Sequence, residues 1–232
     1  MAFQSIEDMH INVKVELDKT SSLELPSFET EEIDYWLNQA IETIIDHCYS
    51  GFNRTQTGFE ETQKRIDDLG TLITNPVTIS PSVSSTYLYE FDLPSDYLYD
   101  VLTEAQINFV DNNGNSVTKT VPCNTTKSDS LSIKRRRDPF SEHNLYLDEA
   151  QPLKTVRDSD IVITTDGNYT VTSLYLTYIK EPTVVNYTAS TDCDLPDHVH
   201  SRVVKTAVNK MLENIESQRY ISHSAELSKI EQ

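Results

Sequence analysis

The sequence predicts an α+β protein: a helical bundle built from its N- and C-terminal segments, with an antiparallel β domain inserted between them. Three observations predict this. Apolar residues recur every three or four positions through residues 29–75 and again over 194–222, the period of a helix with one buried face. Between 77 and 187 the period drops to two, that of a strand. The 232 residues can bury a sizeable core and hold no apolar run long enough to cross a bilayer. The expected divisions are an extended N-terminal arm at 1–28, a helical domain from 29–76 with 191–232, and the β domain at 77–190.

Residues 1–28 mix short apolar stretches with Lys14, Glu16, Asp18 and Lys19, then reach Ser21, Ser22 and Pro26. That pattern suggests an extended arm that lies on a neighbouring molecule and can be removed without unfolding the rest. Met1 to His10 carries Glu7 and Asp8 and has neither a basic leader nor an apolar stretch, so no secretory signal is expected. After Pro26, Ile33, Leu37, Ile41, Ile44 and Cys48 form a helical stripe widened by Trp36, Ala40 and Ile45. Ser27 or Thr30 is placed to cap it, Glu29, Glu31 and Glu32 suit the positive end of the helix dipole, and Gly51 stands where it should stop.

Thr57 and Glu60 have capping-box spacing ahead of Phe59, Thr62, Ile66, Leu69 and Ile73, with Pro76 closing a second helix. The short connection between the two predicts an antiparallel helical hairpin. Strands are expected at Tyr87 to Phe91, Val101 to Phe109 and Val117 to Val121, the last two joined through Asn113 and Gly114. Others are expected at Asn144 to Leu147, Asp160 to Thr164 and Tyr169 to Lys180, the last two joined through Asp166, Gly167 and Asn168. Leu195 and Pro196 then open a long helix with Val199, Val203, Ala207, Met211 or Leu212, and Ile215 on one face.

Lys and Arg total 19 against 37 Asp and Glu, a net charge of −18, which excludes generic binding of nucleic acid through counterion release. The same charge suits either a merely soluble protein or the wall of a conduit along which DNA must slide without sticking, and composition does not choose between them. Cys48, Cys123 and Cys193 are odd in number and widely spaced, so buried reduced thiols are expected, with no disulfide framework or zinc finger. The sequons at Asn53, Asn124, Asn168 and Asn186 matter only in a secretory route, to which nothing else points.

The densest set of chemically able side chains is Cys193, Asp194, Asp197, His198 and His200, but His198 and His200 fall on different faces of a helix and cannot converge on one metal. Adjacent pairs such as Glu60 with Glu61, and Asp67 with Asp68, diverge by about 100 degrees and read as solvated faces. There is no nucleophile elbow, and the five glycines make no phosphate-cradling loop. No catalytic residue, metal or cofactor is therefore expected. Interaction residues are. Lys134, Arg135, Arg136 and Arg137 form the only dense basic run, suited to a neighbour's carboxylates or to DNA phosphates, the neighbour being preferred. Trp36, beside its stripe, and His198 complete the candidate subunit interface.

Five stretches carry a resemblance. Glu31-Glu32-Ile33-Asp34-Tyr35-Trp36-Leu37-Asn38-Gln39-Ala40 and Gly58-Phe59-Glu60-Glu61-Thr62-Gln63-Lys64-Arg65-Ile66-Asp67-Asp68-Leu69 are followed by Phe91-Asp92-Leu93-Pro94-Ser95-Asp96-Tyr97-Leu98-Tyr99 and Leu176-Thr177-Tyr178-Ile179-Lys180-Glu181-Pro182. Leu195 to His200, continuing to Leu212 to Tyr220, completes the set. In this order they resemble virion ring proteins of crAss-like phages and, more distantly, tail-tube adaptors of other short-tailed phages. The resemblance implies a structural, non-enzymatic ring in the head-to-tail connector, closed by head-to-tail contacts among about twelve copies. It implies the portal protein and other ring or tail proteins as partners, and genomic DNA passing without sequence-specific binding. It also implies residence in the virion after synthesis in the host bacterial cytoplasm, with no membrane. Two alternatives remain open. A receptor- or glycan-binding tail protein would use the tyrosine-rich β domain. A metal-dependent hydrolase would use the Cys193 to His200 region and would need stoichiometric zinc.

Overall fold

The structure, a computed structural model, describes residues 5–20, 28–50, 63–110, 114–127, 152–157, 159–165 and 167–214. Lys134 to Arg137, the strand expected at Asn144 to Leu147, the capping box of Thr57 and Glu60, and the helix beyond Asn214 lie outside the described residues. The chain is α+β and divides into two compact units, Met1–Leu72 with Pro182–Gln232, and Ile73–Glu181.

Among its described residues the first unit holds four helices: α1 (Ile6–Thr20), α2 (Thr30–Ser50), α3 (Gln63–Asp68) and α4 (Asp197–Asn214). Helix α2 forms where its period predicts, burying Ile33, Leu37, Ala40, Ile41, Ile44, Ile45 and Cys48. Its cap differs from both expected residues. The Glu29 carbonyl accepts the Ile33 N–H (3.1 Å), and the Glu32 carboxylate reaches back to the Glu29 N–H (2.9 Å), so Thr30 is already the first helical residue. Helix α4 buries Val199, Val203, Val204, Ala207, Val208, Met211 and Leu212, and packs chiefly against α2 and α1.

Residues 6–20 are not an extended arm. Ser5 caps a helix there: its carbonyl accepts the Met9 N–H (3.0 Å), its hydroxyl accepts the Asp8 N–H (3.3 Å), and Asp8 returns a carboxylate oxygen to the Ser5 N–H (3.2 Å). Ile6, Met9, Val13 and Leu17 then share one buried face, against α4 for the most part. The Ile6 N–H, one of the donors that a helix start leaves over, is taken by the Asp192 carboxylate at 2.8 Å. Helix α3 also differs from expectation. It ends at Asp68, and the chain tightens through Gly70 N–H to Asp67 O and Leu72 N–H to Leu69 O instead of running on to Ile73.

Among its described residues the second unit holds nine strands: β1 (Val77–Ile79), β2 (Val83–Ser84), β3 (Leu88–Asp92), β4 (Tyr97–Val110), β5 (Ser116–Pro122), β6 (Asn124–Thr125), β7 (Leu153–Arg157), β8 (Asp160–Thr164) and β9 (Thr170–Lys180). They form a four-stranded sheet, β1-β9-β4-β5, and a five-stranded sheet, β2-β3-β8-β7-β6. Among the described residues the pairings are antiparallel, as expected, apart from the two-residue β6–β7 contact, which is parallel. Tyr89 and Phe91 of β3 with Ile161 and Ile163 of β8 meet Ala105 and Ile107 of β4, Val121 of β5, and Val171, Leu174 and Leu176 of β9 in one shared core.

The β4–β5 hairpin forms as predicted, with Phe109 opposite Val117 and Gly114 at φ 82°. The link through Gly167 does a different job. Strand β8 pairs with β3 and β7 while β9 pairs with β4 and β1, so this link carries the chain from one sheet to the other. Gly167 has φ 85°, and a Cβ on it would lie 2.7 Å from Cε1 of Tyr87, so both backbone and space require glycine.

Because α1 supplies buried apolar residues, removing it exposes the faces of α4 and α2 that it covers. Each such side chain is worth about 1.5–3 kcal/mol, against a total of roughly 5–15 kcal/mol for a whole domain. Deleting residues 1–28 should therefore destabilise the helical unit. Urea unfolding followed by helical circular dichroism checks this, and an unchanged midpoint would show α1 to be dispensable.

Candidate assembly site

The polar side chains buried in the helical unit join segments that are distant in sequence. One of them is Asp34, on the inner side of α2. Its Oδ1 meets His10 Nε2 of α1 at 2.7 Å, and its Oδ2 accepts the Tyr187 N–H at 3.0 Å. His10 Nδ1 is buried without a partner, so the tautomer carrying its proton on Nε2 satisfies Asp34 and leaves only a lone pair unmet. The Tyr187 ring closes over the imidazole at 4.7 Å between centroids. One turn along α2, Asn38 grips the backbone of Val185 on both sides, accepting its N–H (2.9 Å) and donating to its carbonyl (3.1 Å). Residues 185–187 are thus held to α2 much as a strand is held to its neighbour.

A second joint links α2, α3 and α4. Asp68 takes His198 Nε2 on Oδ1 and Arg202 Nη1 on Oδ2, both at 2.9 Å, while Arg202 Nη2 donates to the sulfur of Cys48 (3.2 Å). Asp68 is 2% exposed, so the expectation of a solvated acidic face fails for it. Burial raises the Cys48 thiol above its ordinary value, partly offset by the Arg202 guanidinium. Close by in sequence, the Asp194 carboxylate accepts the Thr183 N–H and hydroxyl, and its carbonyl accepts the Thr71 hydroxyl.

In the β unit the comparable group is Lys154 of β7, buried on the inward face. It donates to the Asp100 carboxylate and to the Thr103 hydroxyl (2.8 Å), both of β4, and so ties one sheet to the other.

The side chains between Cys193 and His200, which helix geometry already sends to different faces, are each engaged separately. His198 is half exposed and bound to Asp68, while His200 is fully buried with Nε2 on the Leu195 carbonyl. Cys193 is buried and Asp194 is engaged by Thr183, so these groups do not face a common point. Among the described residues no group of three or more His, Cys, Asp or Glu is placed to hold a metal ion. Trp36 is half-buried and packs edge-on against exposed Tyr35 at 5.1 Å. Tyr89, Tyr169 and Tyr178 lie in the β core and offer no ligand surface. Sequence reasoning missed Asp34, Asn38, Asp68 and Lys154, because nothing local distinguishes a buried polar residue from a solvated one.

The family model described as phage tail ring protein 3/4, of crAss phages, matches residues 5–221. No curated protein matches the chain.

Asp34→Ala would strand the His10 Nε2 proton and the Tyr187 N–H, at about 1–3 kcal/mol for each buried group left unmet. Asp34→Asn, which keeps an acceptor for Tyr187, should cost clearly less. Urea midpoints of the two variants check this, and equal losses would contradict it. The thiols supply a pH test. Burial pushes Cys123 up to about 12 and Cys193 up to about 11 from the ordinary 9.0. A folded value above the unfolded one gives stability that is complete below pH 9.0 and lost as pH rises through the folded values. Stability should fall between about pH 9 and 12, and at neutral pH a thiol reagent should label buried Cys193 only as fast as the chain opens.

Proposed function

We propose that this chain, which belongs to the phage tail ring protein 3/4 family of crAss phages, forms a closed homo-oligomeric ring in the connector between portal and tail and lines the path of the genome. The observation that carries this is the extent of the family match. It takes in both units, so the ring relationship concerns the whole chain and not one borrowed module. Membership itself supports a structural tail component of the virion that assembles with other virion proteins.

The finer reading rests on physical fit. A net charge of −18 repels DNA phosphates, which suits a wall past which a genome must slide. A ring of about twelve copies, the symmetry usual for portals, would close through heterologous contacts in which one face of each subunit meets a different face of the next. In this proposal the helical unit is a bundle that forms the ring wall, and the β unit is its insert, contacting rings above and below. The subunit needs no chemistry of its own. Buried Asp34, Asp68 and Lys154 each tie together segments distant in sequence, which suits a structural part. Lys134, Arg135, Arg136 and Arg137 are proposed to clamp carboxylates of the neighbouring copy, with Trp36 and His198 near the contact.

Negative-stain images of the purified chain, alone and mixed with its portal protein, test the reading. Closed rings in either sample, or decoration of the portal as a ring, are expected. Monomers in both samples would contradict it. The combined substitutions Lys134→Ser, Arg135→Ser, Arg136→Ser and Arg137→Ser should lower the yield of rings, and an unchanged yield would remove the basic run from the interface.

A further inference from the structure

We infer that Lys154 and Asp100 join as a side-chain amide, a covalent tie between the two sheets of the β unit that forms without an external reagent. It is a modification within each copy and does not depend on the ring reading above.

Lys154 lies on the inward face of β7, with its side chain only 2% exposed. An ammonium taken that far from water is costly, and both acceptors it meets belong to one short stretch of β4. Nζ reaches Asp100 Oδ2 at 2.5 Å and Thr103 Oγ1 at 2.8 Å, while the Thr103 hydroxyl donates to Asp100 Oδ1 at 2.5 Å. The three groups thus close a ring of hydrogen bonds. A nitrogen in contact with one carboxylate oxygen lies roughly 3–3.5 Å from the carboxyl carbon, the range in which held reactants behave as if at very high concentration. The two strands are themselves fixed, β4 between β9 and β5, and β7 between β8 and β6. Folding therefore keeps amine and acid together.

The same ring carries the protons. One passes from Nζ through the Thr103 hydroxyl to Asp100 Oδ1, which leaves a neutral amine beside a carboxylic acid. The nitrogen lone pair then attacks Cγ, and the electrons of the C=O bond move onto Oδ2. A second proton follows the first to Oδ1. The Cγ–Oδ1 bond breaks, Oδ1 departs as water with both protons, and the Oδ2 carbonyl re-forms beside the new Nζ–Cγ bond. Nothing is oxidised or reduced. Two opposite charges disappear together, which removes the cost of keeping an ion pair out of water. The Asp100 side chain, 23% exposed, gives the released water a way out.

Mass spectrometry of the denatured full-length chain tests the inference, because denaturant breaks an ion pair and leaves an amide intact. The purified protein should be lighter than its sequence by one water, and a protease digest should contain a branched peptide in which Lys154 is joined to Asp100. Asp100→Asn should lose ammonia in place of water, and Lys154→Arg should keep the full mass of its sequence. A wild-type chain at its full sequence mass would overturn the proposal, as would a water loss that the digest places on any other residues. The wild-type chain gives the answer by itself, so a variant that fails to fold leaves the test intact.

Discussion

The carboxylate of Asp34 is the joint on which the helical unit depends. It is 7% exposed, and each of its oxygens serves a different part of the chain: His10 in α1 on one side, the Tyr187 backbone on the other. A buried carboxylate is costly to desolvate and is retained only where hydrogen bonds repay it. Here they do so by fixing two segments, 24 and 153 positions away in sequence, to one point on α2. Without that joint, α1 keeps its apolar seam on α4 but loses its registration against α2. Asn38 extends the same logic one turn further, and Asp68 repeats it between α3 and α4.

The two units solve the same problem with different proportions of apolar and polar contact. The β unit is held by a core drawn from both sheets, with Lys154, Asp100 and Thr103 as a polar tie from β7 to β4. In the helical unit, directional polar contacts add to the apolar seams in setting where each segment lies. Apolar packing alone tolerates sliding more readily than a hydrogen bond does. For a subunit that must meet an identical neighbour in one geometry, fixed segment positions matter more than any single reactive group.

What the sequence made legible follows from the length and regularity of each element. Helices α2 and α4 and strands β4, β8 and β9 have enough turns or alternations for their period to stand out, and the Asn113-Gly114 turn marks its hairpin. Helix α1 was hidden because its apolar residues, Ile6, Met9, Val13 and Leu17, are interleaved with exposed Ile11 and Val15, which blur the stripe. Its start was visible in Ser5 and Asp8, a capping pair that an expectation of an arm passed over. Gly167 was readable as a turn, but not its destination, since the choice between hairpin and sheet crossing is made by packing of the shared core. Asp34, Asn38, Asp68 and Lys154 were illegible for a related reason: their partners lie on other elements, and only the assembled fold brings them together.

The central claim is that copies of this chain close into a ring. A cryo-electron-microscopy reconstruction of the intact tail tests it most directly. The account predicts a closed ring made of this chain. A tail in which the chain makes no ring would contradict it.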